Sequence, residues 1–178
     1  EYESEFMSRE KRLKESNYTH VIHPFPALYD ADSKILILGS LPSVKSREQN
    51  FFYGHPQNRF WKMLAAVLGE KIPETIEEKK ELLHRNHIAL WDTLHSCEIE
   101  GSADNTIQNP VPNDIASLLN GSAVRRIYFN GNASGKLYKK YVSPKPDIPG
   151  VILPSTSPAN AQYSLFRLTE VWKEKIKW

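Results

Sequence analysis

Four short apolar runs punctuate the chain: Ile35 to Leu38, Ile88 to Trp91, Arg126 to Phe129 and Val151 to Leu153. None alternates apolar and polar residues with a period of two, so each reads as a strand covered on both faces. Helical spacing fills the intervals. Phe60, Trp61, Leu64, Val67 and Leu68 share one face of a helix that Gly69 ends. Pro73 to Asn86 reads as a charged amphipathic helix with Ile76, Leu82 and Leu83 inward. Shorter helices are expected over Asp114 to Leu119 and Ala133 to Tyr141. The last is expected from about Pro158 to Lys177, with Ser157 as its N-cap and Leu165, Leu168, Val171, Trp172 and Ile176 as its apolar stripe.

Strands that alternate with helices predict an α/β fold, a three-layer α/β/α domain around a central, mainly parallel four-stranded sheet. That single domain is expected over residues 21–178, after a polar arm or helix at residues 1–20. Ile22 to Ala27, stiffened by Pro24 and Pro26, leads in as extended chain.

Sheets of this kind bind ligands beyond the carboxyl ends of their strands. Four loops qualify. Gly39-Ser40-Leu41-Pro42-Ser43 follows the first strand, and its small residues let backbone amides approach a ligand. Asp92, Thr93 and His95 follow the second, Asn130-Gly131-Asn132 the third, and Pro154 to Asn160 the fourth. Free amides at a helix start on Ser157 would favour a phosphate. Each feature also has a plain structural use: Ser157-Pro158 as a cap, Asn130-Gly131 as a turn, His55-Pro56 as a loop. Their convergence at one sheet edge favours a site.

Composition narrows the chemistry. The chain has 178 residues, 40% apolar and 25% charged, which suits one ordinary globular core. The lone cysteine, Cys97, rules out an internal disulfide and a four-cysteine zinc or iron–sulfur site. His84 and His87 lack a third metal ligand, and His95 and Cys97, expected on the same side of an extended segment, are too few. No phosphate-binding glycine loop followed by Lys-Ser/Thr occurs, so neither metal nor cofactor is expected. No run is long enough to span a membrane and no signal peptide is seen, so a cytoplasmic monomer is expected. A net charge of +2 permits a polyanionic partner without requiring one. Lys45, Arg47, Lys136, Lys139, Lys140 and Lys145 are among the basic residues expected to face phosphates.

The densest motif is Tyr53-Gly54-His55-Pro56-Gln57-Asn58-Arg59-Phe60-Trp61, which sets an aromatic ring and an Asn over the sheet edge. With Lys62 it is very similar to a run in mismatch-specific uracil-DNA glycosylases. The chain more closely resembles the deoxyinosine (hypoxanthine-DNA) glycosylase branch of the uracil-DNA glycosylase superfamily. His23-Pro24-Phe25-Pro26, Ile35 to Ser46, Leu90-Trp91-Asp92, Ser96-Cys97-Glu98, Glu100-Gly101-Ser102, Phe129-Asn130-Gly131 and Leu153 to Asn160 carry that likeness. It runs from residue 21 to about 175. Leu41 and Leu153 stand where many superfamily members carry polar groups, as in the deoxyinosine branch.

The resemblance implies a glycosylase that flips a deaminated base out of DNA and removes it, with Asn58 catalytic and Asn130 the second polar residue of the pocket. Gly39, Ser40, Tyr53, His55 and Asp92 are then candidates for the base, with Tyr53 stacking on it and His55 offering a proton. Ser43, Lys45, Ser155, Thr156, Ser157 and Asn160 are candidates for the DNA backbone. A uracil-preferring mismatch-type enzyme and a nucleic-acid-binding module without catalysis remain open. A serine esterase is weaker, because neither Ser40 nor Ser43 lies in a Gly-x-Ser-x-Gly elbow.

Overall fold

A computed structural model describes residues 17–142 and 148–178. Most of the proposed N-terminal arm at residues 1–20, and Lys145, lie outside those residues; the end of the arm enters strand β1 (Tyr18–Ile22), which is neither a loose arm nor a helix. The central sheet is built from β2 (Ile35–Gly39), β3 (Ile88–Asp92), β6 (Arg126–Asn130) and β7 (Gly150–Leu153). Its order is β3-β2-β6-β7, with every pairing parallel. These are the four expected strands, but β7 is not covered on both faces as expected: it lies at the sheet edge, and Val151 and Ile152 are exposed.

Strand β2 shows why its sequence does not alternate. Ile35 and Ile37 point into one buried cluster, Leu36 and Leu38 into another. On the first face pack α2 (Phe60–Leu68), α3 (Ile76–Arg85) and α6 (Leu165–Lys175), through Phe60, Leu64, Leu82, Leu83, Leu168 and Trp172. On the second lies α4 (Ile115–Asn120), with Ile115, Leu118 and Leu119. Burying each such side chain is worth roughly 1.5–3 kcal/mol, so a polar change on either face of β2 would act on the core.

Ile76 and Leu165, expected on the inward faces of their helices, are exposed, because each is the first residue of its helix. Four larger features also depart from the sequence reading. First, β1, β4 (Leu94–Glu100) and β5 (Gln108–Pro112) form a separate antiparallel sheet, in the order β1-β4-β5. Its β4–β5 register shifts around Ser96, and His95 is exposed while Cys97 is buried. Second, a short helix α1 (Val44–Gln49) follows the first loop, capped by Ser43, whose side chain accepts from the Ser46 amide. Third, α5 spans Asn132–Leu137 and gives way to a π-helical turn at Tyr138–Val142.

Fourth, no helix begins at Ser157. Helix α6 begins at Leu165, with Ser164 as its N-cap. The physical reason is Arg59, just before α2. Its Nη2 donates to the carbonyls of Ser157 (2.8 Å) and Asn160 (3.0 Å), and its Nη1 to that of Tyr163. Carbonyls that a helix would need are thereby committed to a guanidinium, and residues 157–162 coil around it. An Arg59→Ala substitution would leave those carbonyls without their charged donor. We expect it to lower unfolding free energy by roughly 3 kcal/mol in urea titration.

Candidate active site

The strand-end loops converge as their positions predict. A cleft open to solvent is lined by Gly39, Ser40, Ser43, Tyr53, Asn58, Asp92, Asn130, Ser155, Thr156 and Ser157 among others. Two tryptophans pin its walls. Trp61 donates from Nε1 to the Phe52 carbonyl (3.1 Å), and Trp172 to that of Pro154 (2.9 Å). Core packing of α2 and α6 therefore fixes the loops on two sides of the cleft.

Asn58 and Asn130 meet through Thr156. The Asn58 Oδ1 accepts from the Thr156 hydroxyl (2.9 Å) and from the Phe60 amide (2.9 Å). Asn130 donates from Nδ2 to Thr156 Oγ1 (2.9 Å) and accepts from the Thr156 amide at its Oδ1 (3.0 Å). Thr156 is fully buried, so it acts as a bracket between the two amides. With Oδ1 doubly engaged, the amide orientation of Asn58 is set. Its Nδ2 has no hydrogen-bond partner among the described residues and is the donor left for a ligand.

Facing this bracket at the floor of the cleft, Asp92 is buried at the end of β3. Its Oδ2 lies 2.7 Å from His23 Nε2, while His23 Nδ1 bonds the Phe25 carbonyl at 2.7 Å. A carbonyl can only accept, so Nδ1 is the donor to Phe25 and Nε2 is the ring atom that faces the Asp92 carboxyl. Oδ1 faces Gly39 so closely that a Cβ there would come within 2.3 Å of it. We expect Gly39→Ala to displace Asp92, costing about 1–3 kcal/mol in thermal unfolding and reducing any activity of the cleft.

Tyr53 carries a positive φ of 52°, a strained backbone for a bulky residue. Its ring stacks on Phe60 with centroids 4.1 Å apart, so one face is already covered. Its buried hydroxyl lacks a well-formed hydrogen bond, and burial, then the charge of Asp92, push its pKa far up. The hydroxyl therefore stays protonated and can serve as a donor.

Several candidates lie elsewhere. His55 does not line the cleft; its Nδ1 accepts from the Gln57 amide (3.1 Å) within the turn. Lys45 lies on α1 beside Glu48 (3.4 Å). Arg47 turns inward and donates to the Gly101 carbonyl (3.2 Å), with burial lowering its pKa. Asn160 lines the adjoining groove and donates to the Ser155 carbonyl (3.0 Å). The hydroxyls of Ser155 and Ser157 accept from the amides of Ser157 and Ala159, closing tight turns, so no helix end presents amides to a phosphate there. Lys136 and Lys140 border another groove next to the cleft.

Three contributors escaped the sequence reading: His23 as the partner of Asp92, Arg59 as the loop clamp, and Asp104. The last follows β4 in a short 3-10 turn (Asp104–Thr106), and its Oδ1 accepts from Ser40 Oγ at 2.7 Å. Among the described residues no group of three or more His, Cys, Asp or Glu could hold a metal ion. None of the described helices is long and apolar enough to cross a membrane.

A parallel sheet with this cleft at its carboxyl edge matches a known class. The family model of the uracil DNA glycosylase superfamily matches residues 26–176, and the chain belongs to that family. A protein of Methanosarcina acetivorans named hypoxanthine DNA glycosylase is 37% identical over 153 residues, covering 82% of this chain and 92% of that relative. One of Methanosarcina barkeri with the same name is 36% identical over 63% of this chain and 72% of its own length. A solution NMR structure of a Methanosarcina acetivorans protein, described as a candidate uracil DNA glycosylase, is 35% identical. It superposes with a TM-score of 0.71 over 87% of this chain and 96% of that one.

Proposed function

We propose that this chain is a DNA glycosylase that draws a deaminated base, hypoxanthine foremost, out of the helix and hydrolyses its glycosidic bond, leaving an abasic site. The observation that carries the reading is the bracket Asn58–Thr156–Asn130, which faces Asp92 across a cleft. The names of the two relatives support hypoxanthine as the base.

A base inside a duplex cannot reach such a cleft, so extrusion comes first. At the cleft floor Asp92 Oδ1 can accept a hydrogen bond. Hypoxanthine presents an N1–H beside its 6-carbonyl, whereas adenine presents a bare N1, so an acceptor there favours the deaminated base. Uracil and xanthine share the N–H beside a carbonyl and can use the same contact. The Asn58 amide and the Tyr53 hydroxyl are donors suited to a base carbonyl or to the electron density that gathers on the base as the bond breaks. Only one face of the Tyr53 ring remains for stacking. Asn58 does not titrate usefully, so its role is to orient and donate rather than to remove a proton. Leu41 lines the cleft as an apolar residue and offers no group for positioning water there.

The reaction as read needs one copy of the chain and no cofactor. Oligonucleotides carrying a single inosine, uracil or xanthine, incubated with the protein and treated with alkali, test base choice. Breaks fastest at inosine are expected. Breaks at uracil alone would move the chain to a uracil-directed activity, and DNA binding without breaks at any of the three would favour a module without catalysis.

A further inference from the structure

Resting on the hypoxanthine reading, we propose that Asp104 is the general acid of the cleft and protonates the five-membered ring of the purine as it leaves. The two carboxyl groups of the cleft are held differently. Asp92 is buried at the floor and engaged by His23. Asp104 stands at the mouth: it is an exposed residue that lines the cleft, and its Oδ1 accepts from Ser40 Oγ. Asp104 borders the base cleft and both adjoining grooves, so it marks the point where they meet.

That position suits the glycosidic end of a purine. The sugar stays attached to DNA and cannot follow the base to the floor. The six-membered ring therefore lies deep, towards Asp92, and the five-membered ring with N7 and N9 lies at the mouth. An anion fixed there would oppose both the phosphates and the electron density growing on the base. A protonated carboxyl would instead donate.

The surroundings shift the Asp104 carboxyl upward from its ordinary value, towards holding its proton longer as pH rises. Burial of the carboxyl raises the Asp104 pKa most, and the charge of Asp92 adds to it, against the Ser40 hydrogen bond. Tyr53 also faces it and brings no charge. Cys97 senses Asp104 and Arg47 from behind, and burial holds that thiol up at about 11. Lys136 and Lys140 border the outer groove and are the cations nearest in the lining shared with Asp104.

The step balances without a co-reactant. The Asp104 proton passes to purine N7, and the C1′–N9 bond breaks with its electron pair left on the base. A water oxygen then bonds C1′, and the proton it sheds restores the Asp104 carboxyl.

Single-turnover excision of hypoxanthine should be followed against pH for the wild type, Asp104→Asn and Ser40→Ala. Binding to inosine DNA and thermal unfolding are measured alongside. The wild-type rate should fall as pH rises through the Asp104 pKa. Asp104→Asn keeps the acceptor for Ser40, so it should fold and bind normally while losing about 100-fold or more in rate, and the alkaline fall should vanish. Ser40→Ala removes the bond that favours the carboxylate, so the fall should move to higher pH. DNA carrying 7-deaza-2′-deoxyinosine, which lacks N7, should be bound but not cut. An Asp104→Asn rate within about 3-fold of wild type with the same pH profile would overturn the proposal. So would excision of the 7-deaza base at the inosine rate, a readout independent of any variant. Absence of hypoxanthine excision by the wild type is a different failure: it would overturn the substrate reading, and this inference with it.

Discussion

Replacing Asn58 by Ala is expected to slow single-turnover hypoxanthine excision by about 10²–10³-fold, the loss typical of one removed donor at a reacting centre. Affinity for inosine DNA should change far less, because the interaction matters most as charge gathers on the base. Two effects overlap in that variant. The Asn58 side chain also accepts from the Phe60 amide at the start of α2 and from Thr156, so its loss should cost about 0.5–2 kcal/mol of stability. Asn58→Asp separates them. It keeps both acceptor contacts and removes the Nδ2 donor, so it should retain stability and still lose activity. Full activity in Asn58→Asp would show that the donor is not what the reaction uses.

His23→Ala should give the largest effect on stability. The His23 and Asp92 side chains are both buried and lie in hydrogen-bond contact at 2.7 Å. Breaking such a pair from one side strands a buried polar partner and costs about 3–5 kcal/mol. Against a total stability of about 5–15 kcal/mol that is a large share, equivalent to roughly 10 °C in melting temperature for a domain of this size. Discrimination between hypoxanthine and adenine should weaken too, because Oδ1 would no longer be held against Gly39. A melting temperature within about 2 °C of wild type would contradict the account of this pair.

Much of this architecture was legible in the chain. The central sheet was readable because strands covered on both faces must be apolar throughout, as Ile35 to Leu38 are. The cleft followed from the rule that ligands lie beyond the carboxyl ends of such strands, so Gly39, Asp92, Asn130 and Ser155 could be grouped before any contact was seen.

The antiparallel sheet was not legible, for physical reasons. β1 is an edge strand with exposed polar positions, β5 carries Pro110 and Pro112, and the β4–β5 register shifts break the period that would reveal β4. Asp104 was missed with them, since nothing local marks a turn residue that reaches Ser40 from 64 positions away. His23 was quoted within a motif, but only its long-range contact gives it a role. The start of α6 was misplaced because Ser157-Pro158 is a sound local cap signal that the Arg59 clamp overrides.

The most direct test is to look for the freed base itself. Duplex DNA with one inosine is incubated with the wild type and with Asn58→Asp, and the small molecules are separated and identified by mass. The account predicts free hypoxanthine from the wild type, in one-to-one ratio with abasic sites, and next to none from the variant. Inosine DNA that is bound yet releases no hypoxanthine from the wild-type protein would contradict it.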